Sequence, residues 1–391
     1  MAKPYLQDNQ DALRVLHCPN VVGGNPQELA RAERELGLLS WSVSLSENYY
    51  SYQIDESYFK RHGSRFKTKI WLELKKYQLI WRALKYFDII HYNFGQTILP
   101  GRYDKQPVTL LEYIFKIYSR YIDMKDLELF HRAKKGIVVT YQGDDARQGD
   151  YSIEHFDICP AKEVDSSYYS ADTDQGKRRS IAKFDKYADQ IHFLNPDLGW
   201  VLPKRAQFMP YAHINLNDWK AVETSSTIEK PIVLHAPSNR KAKGTSYIME
   251  AVNRLKSEGV SFDFILVENL SNQEAKVLYE KADLLIDQLL AGWYGGLAVE
   301  LMALGKPVIC YIRESDLCFI PKEMRENLPI IKAEPSTIYH VLKDCLTKGN
   351  TFLLEIGSDS RKFVEKWHNP LTVATKLTKE YAEIILKKHK H

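Results

Sequence analysis

The sequence predicts an α/β protein that contains two successive parallel β-sheets. Short runs rich in β-branched residues alternate with amphipathic helical segments, a pattern typical of parallel sheets with crossover helices. At 391 residues the chain is too long for one typical core. A polar stretch at 217–230 interrupts the alternation, which then restarts. The prediction is therefore one βα array on each side of a linker.

The first array contains five predicted strands, with four segments of helical periodicity between them. The strands are 12–17, 40–45, 88–93, 136–141 and 190–195, and the helices lie near 27–37, 67–86, 111–134 and 178–188.

The second array repeats this pattern with strands at 231–236, 262–267, 283–289, 307–312 and 328–333. From about Asn369 the chain has the pattern of one amphipathic helix, and we expect residues 387–391 to be frayed. The predicted domains are 1–216 and 217–368, and the helix 369–391 is expected to pack back on the first domain.

Composition excludes several classes of protein. A formal charge of only +4 argues against a nucleic-acid-binding polycation. Five scattered cysteines without a CxxC pair argue against a disulfide framework or a structural zinc site, and they favour a reducing compartment. There is no apolar run long enough to span a membrane, and the first residues lack the apolar core of a signal peptide. We therefore expect a cytoplasmic protein.

Residues 282–309 carry the most informative motif of the second array. A buried strand ends near residue 289, and a helix begins near Gly295 and Gly296. Glycine lets a phosphate approach the backbone, and the N-terminus of a helix favours an anion. Glu300 lies one turn into this helix, where it can accept hydrogen bonds from ribose hydroxyls.

A basic loop follows the strand 231–236. Arg240, Lys241 and Lys243 are expected to converge at the carboxyl end of that strand, where cations would offset the charge of a diphosphate. Most isolated basic strings are only solvated loops, so it is the position of this loop after a strand, together with the helix that begins near Gly295, that favours phosphate binding.

These motifs, ending in Gly296, Glu300, Ala303 and the run 305–308, resemble the nucleotide-binding domain of retaining glycosyltransferases of family-4 (group 1) type. The resemblance is strong over 231–312 and scattered before that. It implies the GT-B fold, in which two Rossmann-like domains face each other across a cleft. It also implies that Glu300 holds the ribose and that Lys243, with Arg240, acts on the diphosphate. The remaining predicted donor-binding residues are Gly295, Gly296, Leu297, Tyr294 and Ser238.

The chain departs from the family pattern at two of these positions. The family has an acidic residue eight positions before the glutamate, where this chain has Gly292. The family arginine lies five residues before the lysine, where this chain has Ser238. Asp287, Gln288 or the backbone near residues 293–294 are candidates to compensate.

Two loops of the first array are predicted to face the acceptor. Gly23 and Gly24 follow the first strand, where the family has a similar loop, although a plain tight turn is an equally good interpretation. Gln142 stands where the family carries a histidine, and because an amide cannot hold a proton, it cannot act as a general acid or base. Gln142 and Asp145 are assigned to catalysis, and Asp144 and Arg147 to recognition of the acceptor.

Other motifs are absent or weak. No HExxH, GxxxxGK[ST] or Ser/His/Asp order is present. The DxD pattern at 172–174 lies in a polar stretch and is interpreted as a solvated loop. His17, His91 and His192 fall inside predicted strands, where hydrogen-bonded core positions are expected.

The segment 60–85 combines nine basic residues and one acid with interleaved aromatic side chains. Such a helix suits adsorption to anionic lipid. The same pattern also describes a helix that buries Trp71, Leu74 and Trp81 against the sheet.

The predicted function is transfer of a sugar, with retention, from a UDP- or GDP-linked donor to a glycan or lipid-linked acceptor, without a cofactor or metal. The predicted location is cytoplasmic, with a possible peripheral site at an anionic membrane, and no nucleic-acid partner is expected. Two alternatives remain open: a nucleotide-sugar epimerase or hydrolase on the same fold, and a degenerate, nucleotide-binding partner subunit. An oxidoreductase is disfavoured because no GxGxxG follows a predicted strand.

Overall fold

A computed structural model describes residues 12–46, 53–60, 63, 65–102, 109–222, 230–270 and 272–390. Residues 223–229 of the predicted linker, Arg61 of the basic segment and the terminal His391 lie outside these ranges. Within them, no helix is both long enough and apolar enough to cross a bilayer.

The first sheet has seven strands in the described residues, all paired in parallel, in the order β3-β2-β1-β4-β5-β6-β7. The strands are β1 (Arg14–Cys18), β2 (Leu39–Ser44), β3 (Glu56–Ser57), β4 (Ile89–Asn93), β5 (Gly136–Tyr141), β6 (Gln190–Phe193) and β7 (Gln207–Phe208). The α-helices in the same part of the chain are α1 (Asn25–Glu35), α2 (Arg65–Tyr86), α3 (Leu110–Ile122), α4 (Lys125–Arg132), α5 (Gly149–His155) and α6 (Ala171–Tyr187).

The second sheet is also parallel, with five strands in the order β12-β11-β10-β8-β9. They are β8 (Ile232–His235), β9 (Asp263–Leu266), β10 (Leu284–Ile286), β11 (Val308–Cys310) and β12 (Ile330–Lys332). The remaining helices are α7 (Arg240–Lys243), α8 (Thr245–Ser257), α9 (Asn272–Lys281), α10 (Gly296–Ala303), α11 (Lys322–Glu326), α12 (Ile338–Trp367) and α13 (Pro370–Lys390). The prediction of two parallel α/β sheets is confirmed.

The three strand histidines form part of the core, as predicted. The rings of His17 and His91 lie 4.8 Å apart between their centroids, and neither residue is exposed to solvent. Burial, together with His17 and His192, lowers the pKa of His91 well below its usual range, so this ring is neutral. Its Nδ1 lies 2.7 Å from the hydroxyl of Tyr381, and its Nε2 lies 2.7 Å from Thr140 Oγ1.

The C-terminal helix α13 lies against the first sheet through these same residues. The Tyr381 hydroxyl donates to Glu33 of α1 at 3.1 Å, and His192 Nε2 lies 2.9 Å from a carboxylate oxygen of Glu380. The helix continues to Lys390, and the Nζ atom of Lys388 pairs with Asp189 at 2.8 Å. The expectation that the chain is frayed from residue 387 is therefore wrong for residues 387–390. The end of the chain thus returns to the first sheet.

Several elements differ from the sequence predictions. Strands β3 and β7 have two residues each, too short for a periodicity signal. The helix predicted at 111–134 is divided at Met124, whose φ of 55° is left-handed. The solvated loop predicted at 172–174 is wrong: these residues form the first turn of α6, which Ser170 caps in a capping box with Thr173. Asp174 is buried there and accepts from the backbone N–H of Asp150 at 3.0 Å.

Helix α2 packs differently from the buried-face interpretation. Leu74 and Trp81 are 64% and 56% exposed, so the expectation that they pack on the sheet is wrong. The helix instead buries Leu79 and Ile80, together with Ala83 one turn later, on the opposite side. Trp71 is half-buried and donates its indole N–H to the carbonyl of Tyr58 at 3.1 Å.

The carboxyl ends of the two sheets face each other across a cleft. The loop after β6 meets the segment after β11, where Trp200 donates its indole N–H to Asp316 at 2.9 Å. His368, which follows α12, places its two ring nitrogens 2.8 Å from the carbonyl of Tyr211 and 2.9 Å from the Tyr294 hydroxyl. Ligands of open parallel sheets bind beyond such strand ends, which makes this cleft the place to look for a site.

Candidate functional site

Asp287 organises the loop that follows β10. The residue is only 1% exposed, and its Oδ2 accepts from the backbone N–H of Gly295 at 2.7 Å. Its Oδ1 lies 3.6 Å from Nζ of Lys243. One buried carboxylate therefore holds the glycine turn and the lysine side chain in a fixed relation.

Lys243 extends from α7 to the N-terminus of α10. Its ammonium donates to the side-chain oxygen of Gln288 at 2.7 Å. A β-carbon placed on Gly295 would lie 3.4 Å from this Nζ atom, so the ammonium stands directly beside the glycine turn. A fixed cation and the positive end of a helix thus border one small volume, an arrangement that favours a phosphate.

Glu300 lies one turn into α10 and is 6% exposed. Its Oε1 is 3.5 Å from Nε2 of His213, which belongs to the segment after β7. The helix begins at Gly296, where a β-carbon would lie 3.3 Å from the His213 ring. His213 therefore covers the beginning of α10 from the opposite side of the cleft.

His213 is a candidate that the sequence did not reveal. It is 7% exposed, and among the described residues neither ring nitrogen has a hydrogen-bond partner, although Nε2 lies 3.5 Å from the Glu300 carboxylate. The ring thus borders both Glu300 and the first turn of α10. The one available signal was its position just after a strand, but that strand, β7, is too short to be predicted.

The other cations of the basic loop do not join Lys243, contrary to the expected convergence. Arg240 forms an ion pair with Glu268, with Nε and Oε1 2.7 Å apart, and Lys241 reaches Asp165 at 2.8 Å. Because α7 is a single helical turn, consecutive side chains point in different directions around its axis. Ser238 is exposed in the preceding bend.

Position 292, where the resemblance leads one to expect an acidic side chain, has no room for one. Its φ of 77° is left-handed, and a β-carbon there would lie 2.9 Å from the guanidinium of Arg313. Arg313 is held in this place by Asp316 at 2.8 Å and by the carbonyl of Ile158 at 2.7 Å. The arginine thus fills the space next to the glycine.

Tyr294 and its neighbour Trp293 form part of the core between the two sheets. Tyr294 is fully buried, and its hydroxyl lies 2.9 Å from Nε2 of His368. Of the predicted donor residues, Gly295, Gly296 and Leu297 are half-buried and Glu300 is buried at 6% exposed, whereas the Tyr294 side chain is fully enclosed.

On the opposite side of the cleft, Asp145 shapes the loop after β5. Its Oδ1 accepts from the backbone N–H groups of Gly143 at 2.7 Å and Gln142 at 3.0 Å. Burial raises the pKa of Asp145 to about 7, although these hydrogen bonds oppose the shift. A carboxyl group poised near neutral pH can hold or release a proton at this edge.

Asp144 and Arg147 are paired with each other and with neighbouring groups. Arg147 donates to Asp144 at 2.7 Å and to Asp197 at 2.6 Å, and Tyr168 and Tyr169 donate to Asp144 at 2.5 Å. Although burial raises the pKa of Asp144, Arg147 and the two hydroxyls outweigh it and lower that pKa to about 2. This carboxylate is ionised and fully bonded, which is typical of a structural network.

The glycine loop after β1 meets the Gln142 side chain. A β-carbon on Gly23, whose φ is 64°, would lie 3.4 Å from Gln142 Oε1, and Gly24 caps α1 with a φ of 78°. Among the described residues, the Nδ2 atom of Asn25 and the Nε2 atom of Gln142 are buried without hydrogen-bond partners. The glycine loop and the loop after β5 therefore meet at two buried amide groups.

No group of three or more His, Cys, Asp and Glu side chains is placed to hold a metal ion in the described ranges.

Comparison with known proteins finds no matching family model and no matching curated protein. Solved structures do match. Sucrose-phosphate synthase from Thermosynechococcus elongatus is 13% identical, with a TM-score of 0.56 over 96% of this chain and 100% of that one. A glycosyltransferase from Rickettsia africae is also 13% identical, with a TM-score of 0.57 over 96% and 99%. The catalytic domain of starch synthase IV from Arabidopsis thaliana is 10% identical, with a TM-score of 0.55 over 96% and 99%. At these identities the likeness establishes a shared fold.

Proposed function

We propose, from the GT-B fold that this chain shares with those enzymes, that it is a glycosyltransferase that uses a nucleotide-sugar donor. The observation that carries the proposal is the position of Lys243 beside Gly295 at the N-terminus of α10, with Glu300 one turn further on. The donor would be UDP- or GDP-linked, and the acceptor a glycan or lipid-linked sugar in surface polysaccharide or glycoconjugate assembly.

The diphosphate of the donor would lie between Lys243 and the first turn of α10. Both are positive and both are fixed, the lysine by Asp287 and Gln288 and the helix by the rest of the domain. Glu300, one turn further along the helix, would accept from the ribose hydroxyls. The solved structure of the catalytic domain of starch synthase IV, which has the same fold, is bound to ADP and acarbose, which supports a nucleotide site in this chain.

The proposed reaction retains the anomeric configuration by attack on the same face from which the diphosphate leaves. The bond from the anomeric carbon to the diphosphate breaks while the bond to the acceptor oxygen forms, and the departing diphosphate takes the acceptor proton. Lys243 and the helix end would stabilise the charge that develops on the leaving group, so the proposal requires no metal and no cofactor. Gln142 and Asp145 would hold the acceptor hydroxyl on the opposite side.

We also propose that the protein binds the surface of an anionic membrane through α2. Ile70, Leu74, Tyr77 and Trp81 are between 47% and 64% exposed, and lysines flank them. Each cation near an anionic surface contributes about 1 kcal/mol. Sedimentation with vesicles should show binding that depends on anionic lipid, and equal binding to neutral vesicles would contradict this part of the proposal.

A second candidate function is a nucleotide-binding partner subunit without turnover. Gly292, which lacks the acidic side chain of the family and has Arg313 in its place, favours this alternative. A sugar-transfer assay with a panel of nucleotide-sugars decides between the two, because the partner subunit would bind the nucleotide but transfer nothing.

The central test is calorimetric titration with UDP, GDP and ADP. Lys243→Met should weaken nucleoside diphosphate binding by about 10- to 100-fold, the effect of removing a hydrogen bond to a charged group. Binding of the nucleoside alone should not change. Lys241→Met is the matched control, because Lys241 lies in the same loop but pairs with Asp165. Equal affinity in the two variants would refute the diphosphate site.

A further inference from the structure

Helix α3 turns its apolar side outward. Six apolar residues, which we call the apolar face of α3, are between 46% and 75% exposed: Leu110, Leu111, Tyr113, Ile114, Ile117 and Tyr121. Of the thirteen residues of this helix, all of them described, the buried one is Ser119. An amphipathic helix of a globular domain normally packs its apolar side on the core, so α3 has the reverse orientation.

Local polar contacts fix α3 in this orientation. Thr109 caps the helix in a capping box with Glu112. The Tyr118 hydroxyl donates to Glu73 of α2 at 2.9 Å and lies 2.8 Å from the hydroxyl of Tyr77. These contacts hold α3 beside α2 and leave its apolar face in solvent.

The exposed apolar surface of the protein is concentrated on these two helices. Of the twenty large apolar side chains that are exposed in the described ranges, ten belong to α2 and α3. Those of α2 are Ile70, Leu74, Tyr77 and Trp81, whose spacing of four, three and four residues places them along one side of the helix. Exposed apolar surface that is gathered in one place marks an interaction site.

The charge of the two helices identifies the kind of partner. Residues 60–85 and 109–125 together carry twelve basic and three acidic side chains, a net charge of +9, whereas the whole chain carries only +4. Lys85 lies with its Nζ atom 5.1 Å from the centroid of the Trp81 ring, and Lys69 and Arg120 are also exposed. The centres of protein–protein interfaces are depleted of lysine, whereas anionic lipid attracts it and Tyr and Trp are enriched at the lipid–water interface. An anionic membrane therefore fits this surface better than a protein does.

The segment 95–102 connects α3 to the acceptor edge, by which we mean the loop after β5. At the C-terminal end of α3, the backbone N–H of Met124 donates to the carbonyl of Pro100 at 3.2 Å. At the other end of the segment, a β-carbon on Gly95 would lie 3.4 Å from Oδ2 of Asp145. One short segment thus joins α3 to the loop that would hold the acceptor hydroxyl.

We propose that the apolar face of α3 inserts into the lipid–water interface of an anionic bilayer, while the cations of α2 lie against the lipid headgroups. The proposal rests on the membrane binding proposed for α2 and names the element that enters the lipid. Insertion would keep the acceptor edge close to the membrane, where the sugar of a lipid-linked acceptor lies.

The first experiment is sedimentation with vesicles of phosphatidylcholine and phosphatidylglycerol. Leu110→Asn and Ile117→Asn change side chains that are 75% and 46% exposed, so folding should be preserved. Each should weaken binding about tenfold, because each removes one aliphatic side chain from the lipid. Val277→Asn on α9, at 51% exposure, is the matched control and should bind like the native protein. Native affinity in both α3 variants would overturn the proposal.

The second experiment measures the depth of α3 in the bilayer. Cys318 is exposed and the other four cysteines are buried, so Cys318→Ser leaves a chain that accepts a fluorescent label at one introduced position. Labelled Tyr121→Cys should be quenched by lipid that carries a nitroxide on its acyl chain, and labelled Val277→Cys should not. Equal quenching at the two positions would contradict insertion.

A charge variant separates insertion from adsorption through α2. The double variant Lys69→Gln, Lys85→Gln should weaken vesicle binding about 25-fold, the effect of two cations near an anionic surface. If it does so while Ile117→Asn binds like the native protein, adsorption through α2 stands and insertion fails. If the native protein does not bind anionic vesicles, both fail.

Two further measurements separate the inference from other readings of the same surface. Lys243→Met should bind vesicles normally and Ile117→Asn should bind nucleoside diphosphate normally, so a failure of the donor site would leave the inference intact. Sedimentation equilibrium without lipid should show no self-association that Ile117→Asn removes. If it does, and vesicle binding is unchanged in this variant, the face is an interface between copies of the chain and the proposal is wrong.

Discussion

The Nη1 atom of Arg313 lies 2.9 Å from the position that a β-carbon on Gly292 would occupy. The Arg313 side chain therefore occupies the space that a side chain at position 292 would need. It also leads to a prediction about stability.

Gly292→Ala should destabilise the protein for two reasons. The left-handed φ of 77° costs an L-residue about 1–2 kcal/mol. The new methyl group must in addition displace Arg313, whose guanidinium is held by Asp316 and Ile158. Urea unfolding should therefore show a loss larger than the backbone cost alone.

Gly259→Ala is the matched control for this loss. Gly259 has a φ of 80°, and a β-carbon there would meet no atom within 4 Å. Its variant should show the backbone cost only. Equal losses in the two variants would mean that Arg313 moves aside freely and does not fix the loop.

The sequence predicted the sheet architecture because the central strands carry an unmistakable signal. Residues 89–93 and 136–141 are buried throughout and rich in β-branched side chains. The two-residue strands β3 and β7 carry no such signal, since only pairing with a neighbour defines them. The start of α6 was missed because its polar first turn has the composition of a loop, and the cap at Ser170 decides the matter.

The candidate site was predictable only where local geometry follows from sequence spacing. A glycine pair before a helix fixes the position of Gly295, and Glu300 follows one turn later. The direction of a long side chain does not follow from sequence spacing. Arg240 was therefore expected beside Lys243, whereas its side chain turns away and pairs with Glu268. His213 was missed because it follows a strand of the first sheet and contacts Gly296, which follows a strand of the second, and spacing along the chain does not predict such a contact.

Glu300 should determine whether the site distinguishes ribose from deoxyribose. If its carboxylate accepts from the ribose hydroxyls, the protein should bind a nucleoside diphosphate about 10- to 100-fold more tightly than its 2′-deoxy analogue. In Glu300→Gln this preference should fall to a few-fold, measured by calorimetry. Glu250→Gln, at an exposed position of α8, should leave the preference unchanged. An undiminished preference in Glu300→Gln would exclude the ribose role.

His213 should contribute to donor binding from the opposite side of the cleft. Its ring borders the first turn of α10, and its Nε2 lies 3.5 Å from Glu300, so a donor phosphate at the helix end would offer a second acceptor for a ring N–H. His213→Leu should weaken nucleoside diphosphate binding about tenfold, and His213→Gln, which keeps a donor, should recover part of the loss. His340→Leu, at an exposed position, is the control. Wild-type affinity in His213→Leu would show that the ring only packs.

Asp145 should make the stability of the protein depend on pH between about 4 and 7. Burial raises its pKa from 3.8 to about 7 in the folded protein, so between these values the folded chain holds a proton that the unfolded chain has released. Its contribution is therefore fully present below pH 4 and is lost as the pH rises toward 7. The slope for one proton is at most about 1.4 kcal/mol per pH unit.

Asp145→Asn carries no titrating proton at this position, so this loss should disappear in the variant. The free energy of unfolding of Asp145→Asn relative to the native protein should therefore rise from pH 4 to pH 7 and then level off. Asp126→Asn provides the comparison, because the pKa of buried Asp126 is raised only to about 6 and its effect should level off earlier. Urea unfolding at a series of pH values measures both curves. If the difference in free energy of unfolding between Asp145→Asn and the native protein does not change with pH, Asp145 is ionised throughout this range and cannot hold a proton at the acceptor edge.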